Sequence, residues 1–248
     1  MTGALEASLA ELWEKLEKVS DTDFLAQMQT LTEGLPPADR LFERGAAFDS
    51  TGHPQQAASL YREALAAGLV GERRRRAVIQ LASSLRNLGQ AEEALTLLTA
   101  EAGQPSDALD GAVALFTALT LADLGREREG LAVAQTALVQ TLSPYNRYRE
   151  ALAAGLPHER RRRAVIQRAS SLRQAGQTEE ALVLLSTEAG QPSDALDGAV
   201  AIFLALTLAD LGREREALAV ALTALAQTLP RYNRSAARYA GALLETSD

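Results

Sequence analysis

The 248-residue chain contains no cysteine, which excludes disulfides, thiolate catalysis and cysteine ligands for a metal. Only two histidines are present, His53 and His158, and each stands next to a proline. No cluster of residues has the spacing of a metal site, and no glycine-rich loop has the pattern that binds phosphate. The sequence therefore predicts a protein that is not an enzyme and that holds no metal or cofactor.

Aromatic residues are also scarce, at 4% of the chain, whereas alanine and leucine dominate. This composition favours closely packed helices over strands. No segment has the roughly 20 uninterrupted apolar residues that a membrane span needs, and the N-terminus lacks the basic-then-apolar pattern of an export signal. The net charge of −7 argues against general binding of nucleic acid. We therefore expect a cytoplasmic, all-α protein that does not bind a membrane.

The chain carries a long internal repeat. Residues 61–147 and 148–234 align without a gap and differ at 16 of 87 positions. Such identity indicates a recent duplication or an engineered tandem, and the residues do not separate these two origins. We call residues 61–147 the first copy and residues 148–234 the second copy.

A shorter period of 36 or 37 residues is marked by glycines that stand between helical patterns: Gly52, Gly89 and Gly125, then Gly176 and Gly212. A glycine suits the left-handed turn that ends a helix, and Pro54 fits the first turn of the helix that follows. We also expect Asp21 or Thr22 to cap a helix near the N-terminus. Asp107 and Asp194 are expected to cap one helix in each copy.

A helix, a glycine turn and a second helix that recur about every 34 residues resemble the tetratricopeptide repeat. The resemblance is strongest in residues 38–69, where seven residues follow the large–small–aromatic–turn–small–aromatic–small signature of that family: Leu41, Gly45, Phe48, Gly52, Ala57, Tyr61 and Ala64. It implies an all-α fold, an α-solenoid of antiparallel helical hairpins, whose partners are proteins or peptides. We expect a capping hairpin at 1–35, a first lobe at 36–147 and a second lobe at 148–248.

The second copy lacks an equivalent of the helix predicted at 38–51, which pairs with the segment that begins at Tyr61. We therefore expect the segment that begins at Tyr148 to be one helix shared by both lobes, because a solenoid repeat cannot bury its faces alone. Leu81 becomes Arg168 in the second copy, and an arginine in a full core is costly unless it is paired. This substitution predicts that the corresponding face is partly open in the second lobe.

The strongest polar feature is the run ERRRRAVIQ, which occurs at 72–80 and at 159–167. One interpretation is structural: the arginine stems cover apolar neighbours while the charged heads pair with acids such as Glu72 or Glu159. Glu101 is a second unusual charge, because it stands where the family pattern expects a small residue.

The other interpretation is a binding groove, because the resemblance implies that the first helix of each hairpin lines a concave surface. The candidate residues of this groove are Arg76, Ile79, Ser83, Arg86 and Asn87 in the first copy, and Arg163, Ile166, Ser170, Arg173 and Gln174 in the second. Two arginines that flank an isoleucine suit an acidic or carboxylate-bearing peptide with one apolar anchor. Nucleic acid ranks lower, because no aromatic residues are interleaved for base stacking.

Two functions remain as alternatives. The first is a non-enzymatic scaffold that binds peptide segments of another protein in its concave groove. The second is a duplicated or engineered structural repeat whose main property is self-assembly, as a domain-exchanged homodimer, without a natural ligand. Exposed apolar faces on repeats often drive such association.

Overall fold

The computed structural model describes residues 2–141, 157–229 and 232–245. These residues form 13 α-helices and a short 3-10 turn at Thr32–Gly34, and they contain no strand. The helices are α1 Thr2–Trp13, α2 Asp21–Leu31, α3 Pro37–Ser50, α4 Pro54–Ala66, α5 Gly71–Asn87, α6 Ala91–Ala102, α7 Asp110–Asp123, α8 Glu127–Thr141, α9 Pro157–Gln174, α10 Thr178–Ala189, α11 Asp197–Asp210, α12 Glu214–Thr228 and α13 Asn233–Glu245. The predicted all-α fold of antiparallel helical hairpins is confirmed.

The contacts divide the chain into two compact units, unit 1 at Met1–Gln104 and unit 2 at Pro105–Asp248. The sequence instead predicted a boundary after residue 147, which lies outside the described residues. The helix predicted to begin at Tyr148 lies outside them as well. The division into a capping hairpin and two lobes therefore stays a prediction.

Unit 1 begins with the hairpin of α1 and α2, which packs on α3. Its apolar core draws on all three helices and on the turn before α3: Leu9, Leu12, Phe24, Met28, Leu35 and Ala47. The cap of α2 is Ser20, so the predicted cap at Asp21 or Thr22 is wrong. The extended backbone of Ser20 lets its hydroxyl accept a hydrogen bond from the backbone N–H of Asp23 at 3.1 Å.

Helices α3 and α4 approach closely because of one small residue. A Cβ at Gly45 of α3 would come within 2.9 Å of two ring atoms of Tyr61 on α4. Tyr61 is fully buried, and its ring centroid lies 6.1 Å from that of Phe42. Gly52 has a φ of 77° in the turn between the helices, and Pro54 begins α4, as predicted. The fit of small residue against aromatic that the family signature implies is therefore confirmed.

The predicted caps Asp107 and Asp194 lie just before α7 and α11. The carboxylate of Asp107 accepts a hydrogen bond from the backbone N–H of Leu109 at 2.6 Å, and that of Asp194 accepts one from Leu196 at 2.7 Å. Because each helix begins three residues after its aspartate, these carboxylates organise the preceding turn rather than the first turn of the helix.

Unit 2 is built around α12, which contacts α7, α8, α11 and α13. A helix with neighbours on so many sides must be apolar around most of its circumference. Its buried residues are Ala217, Leu218, Ala219, Ala221, Leu222, Leu225 and Ala226. Leu222 replaces the half-buried Gln135 of the first copy, which removes a polar side chain from this central position.

The contact between α8 and α12 is one that a simple solenoid does not predict, because there each hairpin touches only its neighbours along the chain. Helix α8 belongs to the first copy, and α12 is its counterpart in the second. Arg128 Nε lies 2.8 Å from Glu214 Oε1, and Arg215 Nη1 lies 3.8 Å from Glu127 Oε1. Two copies of one helix therefore pack against each other within unit 2.

Alanine at position 45 tests the close approach of α3 and α4. We expect Gly45→Ala to lower the free energy of unfolding by about 1–2 kcal/mol, because overpacking against the buried ring of Tyr61 exceeds the gain in helix propensity. Urea denaturation followed by far-UV circular dichroism measures the change.

The matched control is Gly241→Ala in α13, where nothing lies within 4 Å of the added Cβ. This substitution should raise the free energy of unfolding by about 0.5–1 kcal/mol, because alanine favours the helix. An equal gain at both positions would contradict the steric role of Gly45.

Candidate peptide-binding groove

One face of α9 is open in the second copy, although the same face of α5 is buried in the first. Leu81 of α5 is 2% exposed, whereas the side chain of Arg168 at the equivalent position of α9 is 66% exposed and lies 3.2 Å from Glu180. Ala77 is buried and its equivalent Ala164 is exposed. The predicted opening of this face is confirmed, and it explains how an arginine replaces a leucine without burying its charge.

Helices α9 and α11 carry the residues of the groove predicted for the second copy. Ile166 of α9 packs with Leu196 and Val200 in a small apolar cluster. Phe203 of α11 is partly buried against the same cluster. Ile166 is itself only 9% exposed, so little of its side chain is available to a ligand as a projecting anchor.

Polar residues flank this cluster. Arg173 Nη2 on α9 lies 2.7 Å from Asp210 Oδ2 on α11, and this ion pair joins the two helices. Arg163 and Ser170 are half-buried, and Gln174 is exposed. The charge of Arg173 is therefore already matched inside the chain.

The apolar side of α11 is more open than its counterpart in the first copy. Leu115 and Leu119 of α7 are fully buried, whereas Ile202 and Leu206 at the equivalent positions of α11 are half-buried. Nearly identical sequences therefore bury this strip in one copy and present it for contact in the other. We call this surface the second-copy groove; its residues are Arg163, Ile166, Ser170, Arg173, Gln174, Ile202 and Leu206.

The first-copy candidates do not form an equivalent surface. Ile79 and Ser83 are 0% and 5% exposed, so neither is available to a ligand. Helices α3, α4 and α6 all contact α5, and together they leave little of it uncovered. The expectation of an accessible apolar anchor at Ile79 is therefore corrected.

The other three first-copy candidates are polar. The guanidinium of Arg76 lies 5.1 Å from the ring centroid of Phe42, a cation–π contact within unit 1. Arg86 is half-buried and Asn87 is exposed. Without Ile79 these residues lack the apolar contact that would anchor a peptide.

In unit 1 the arginine run pairs with acids on other helices. Arg73 Nε lies 3.3 Å from Glu43 Oε1 on α3. Arg74 and Arg75 share Glu101 of α6, which is 2% exposed, and Arg75 Nε lies 3.3 Å from its Oε1. Burial raises the pKa of Glu43, although the charge of Arg73 opposes this shift. The run therefore ties α5 to the helices on either side of it.

In unit 2 the equivalent of Arg75 is Arg162, which is 1% exposed and contacts three carboxylates. Its Nε lies 3.1 Å from Glu188, and its Nη1 hydrogen bonds to Asp194 and, at 2.7 Å, to Asp197. Burial alone would raise the pKa of Asp197, but hydrogen bonds from Ser193 and Arg162 lower it below its usual value. We call these residues the Arg162 cluster.

The structural interpretation of the run expects its charged heads to pair with acids, and two such acids are Glu101 and Glu188, which are buried on the following helix. A signal for them was present in the sequence. The family has a small residue at this position, so an acid there is expected to be buried and must pair with a cation. The arginine run provides the cations that are closest in the sequence.

A second concave surface of unit 2 is a cleft of about 550 Å³ between α11, α12 and α13. Small and apolar residues line much of it, among them Val200, Ala201, Leu204, Ala219, Val220 and Ala224. Arg162 and Asp197 of the Arg162 cluster also line it, as does Leu244 of α13, which is 52% exposed. The cleft is large enough to hold an apolar side chain.

Residues 2–141, 157–229 and 232–245 contain no group of three or more acids or histidines that could hold a metal ion. In the same residues, no helix is both long enough and apolar enough to cross a bilayer.

Antiparallel hairpins with a small–aromatic fit between their helices define a helical-repeat protein. The tetratrico peptide repeat family matches residues 38–147 and 146–243, and this chain belongs to that family. Repeats of the family generally mediate protein–protein interaction and generally serve as non-enzymatic scaffolds.

No curated protein matches the chain. One similar solved structure is a crystal structure of a Podosopora anserina protein, described as a kinesin light chain with nearly identical TPR-like repeats. It has 18% sequence identity over 86% of this chain and 99% of the other, with a TM-score of 0.43.

Methionine at position 162 tests the buried arginine. We expect Arg162→Met to lower the free energy of unfolding by about 3–5 kcal/mol, because it takes the buried guanidinium away from the buried Glu188 and the half-buried Asp194 and Asp197. The control is Arg161→Met, the adjacent arginine, whose side chain is 54% exposed although it lies 3.3 Å from Glu188. That change should cost less than about 1 kcal/mol. Urea denaturation compares the two, and equal losses would contradict a special role for the buried guanidinium.

Asparagine at position 197 gives a pH-dependent test of the same cluster. The pKa of Asp197 is lowered in the folded protein, so its contribution to stability is present above the unfolded value of 3.8 and is lost as the pH falls through the folded value. The difference in unfolding free energy between wild type and Asp197→Asn should therefore be constant above about pH 5 and shrink below about pH 4. Urea titrations across this range measure it, and a difference that persists to about pH 2 would contradict the ionised pairing.

Proposed function

We propose that the protein is a non-enzymatic scaffold that binds a peptide segment of another protein in the second-copy groove. One observation carries this proposal. Ile202 and Leu206 of α11 are half-buried, although Leu115 and Leu119, which occupy the same positions in the first copy, are fully buried. An apolar strip that is left open between two fixed helices is the surface on which such repeats recognise a partner.

The ligand that fits this groove has one apolar side chain and polar groups on either side of it. The apolar side chain would lie on Ile202 and Leu206, beside the apolar cluster to which Ile166 and Phe203 belong. The exposed amide of Gln174 and the hydroxyl of Ser170 can donate to, and accept from, the backbone of an extended peptide. A strip of this size suits a short segment rather than a folded domain.

The charge of the groove favours an acidic segment or a C-terminal carboxylate. Arg163 and Arg173 supply two positive charges, and Asp210 supplies one negative charge that is paired with Arg173. A carboxylate near Arg163 would add a charge-assisted hydrogen bond to the apolar contact.

A binding experiment can distinguish a peptide that binds in the second-copy groove from one that binds in the cleft. An array of 15-residue peptides, each with one Leu, Ile or Phe among acidic residues, selects a ligand whose Kd is then measured by fluorescence anisotropy. We expect Ile202→Glu and Leu206→Glu each to raise Kd at least about tenfold, because each loses the burial of an apolar side chain against the peptide.

Two matched controls place the same glutamate elsewhere in unit 2. Val183→Glu changes a side chain that is 67% exposed on α10, and Leu244→Glu changes one that lines the cleft. Both should leave Kd within about twofold of the wild-type value. A loss of binding in Leu244→Glu with none in Ile202→Glu would show that the peptide binds in the cleft instead. The charge preference is tested separately, since array peptides with lysine in place of the acids should bind more weakly.

A further inference from the structure

The contact between α8 and α12 joins two copies of the same helix, and its ion pairs are reciprocal. Arg128 of α8 pairs with Glu214 of α12, while Arg215 of α12 lies near Glu127 of α8. Position 128 corresponds to 215 and position 127 to 214 under the alignment of the two copies. The same two positions therefore face each other in both directions. The second contact is longer, at 3.8 Å against 2.8 Å, because Arg215 Nε donates a hydrogen bond to the Leu243 carbonyl.

The apolar part of the interface lies in the same helices. Helix α8 buries Leu131, Ala134, Ala137 and Leu138, and the equivalent residues Leu218, Ala221 and Leu225 of α12 are fully buried. A Cβ at Gly130 of α8 would lie 3.4 Å from a methyl of Leu218 on α12, so the two helices approach closely there. The pairing is therefore a packed interface as well as a pair of surface charges.

An interface is isologous when both of its sides contribute the same surface, so that each contact occurs twice with the two partners exchanged. This is the arrangement that two identical protein molecules adopt about a two-fold axis. Here both halves belong to one chain, and the partners Arg128 and Glu214 are 86 positions apart in it. The groups that meet are the same whether the second copy comes from the same molecule or from another.

We infer that the surface formed by α8 and α12 is a self-association surface whose partner is a second molecule of this chain. In the dimer, α8 of each molecule packs on α12 of the other, and both interfaces keep the contacts described above. The α8–α12 contacts are equivalent in the exchanged form and in the closed monomer, so a higher protein concentration favours the exchanged form. The inference is independent of peptide binding in the second-copy groove.

Charge reversal tests the exchange with two complementary variants. The first, Glu127→Arg with Arg128→Glu, reverses the charges on α8; the second, Glu214→Arg with Arg215→Glu, reverses those on α12. In either variant alone, every α8–α12 pair places like charges together, in the monomer and in the exchanged homodimer. In an exchanged heterodimer of the two variants, all four pairs again join opposite charges.

We expect an equimolar mixture, refolded together from urea, to contain at least about fourfold more dimer than either variant alone. Four exposed pairs contribute this preference, each by a factor of about 1.4 to 5. Light scattering gives the mass, and native mass spectrometry with one variant labelled with ¹⁵N shows that the dimer contains both chains. A chain with all four substitutions is the control, since opposite charges again face each other within one molecule. Its stability should exceed that of either variant alone, although Arg215→Glu also removes the hydrogen bond that Arg215 Nε donates to the Leu243 carbonyl at 2.6 Å.

Two results would overturn the inference. A mixture that stays as monomeric as the separate variants, while the chain with all four substitutions regains stability, would show that the pairing closes only within one molecule. A chain with all four substitutions that stays as unstable as the two variants would show that the reciprocal pairs do not form at all.

The absence of cysteine from the chain allows a second, covalent readout. Arg128→Cys and Glu214→Cys, made in separate chains, refolded together and treated with a short bismaleimide, should give a covalent dimer whose yield rises with protein concentration. Each single variant alone gives the background. No covalent dimer above that background would contradict exchange.

Discussion

A helical hairpin of this family has apolar residues on two faces, and pairing its own two helices buries only one of them. The burial of α5, α9 and α12 depends on which neighbouring helices pack on the second face. In unit 1, α5 is enclosed by α3, α4 and α6, and its leucines are buried. In unit 2, α12 receives contacts from four helices, and its sequence is apolar to match. On α9, Arg168 stands in place of a leucine, and its side chain is 66% exposed.

The same constraint explains why nearly identical copies differ in function under the proposed assignment. The copies share the helices, the turns and the buried pairing of an arginine with a glutamate on the next helix. They differ in what surrounds them, so that Ile202 and Leu206 are accessible while Leu115 and Leu119 are not. The surface of a repeat is thus set by its neighbours as much as by its own residues.

The sequence predicted most of the fold, because its signals are local. The fit of Gly45 against Tyr61, the left-handed turn at Gly52 and the start of α4 at Pro54 all depend on residues close in the chain. The opening at Arg168 followed from comparing the two copies. Apart from the helix caps, which lie one or two residues from their predicted positions, the errors concern contacts between distant segments. No local pattern shows that Ile79 is enclosed or that α8 meets α12. Glu101 and Glu188 carried a signal, but only the structure identifies the arginines that pair with them.

The central position of α12 also governs the order in which unit 2 folds. Contacts between residues as far apart as Arg128 and Glu214 close slowly, because a long stretch of chain must first be ordered. Until its four neighbours gather, α12 exposes leucines on several sides, so it is completed late. Once enclosed, it opens only when the whole unit opens, and its backbone amides are therefore among the last to exchange their hydrogens with solvent.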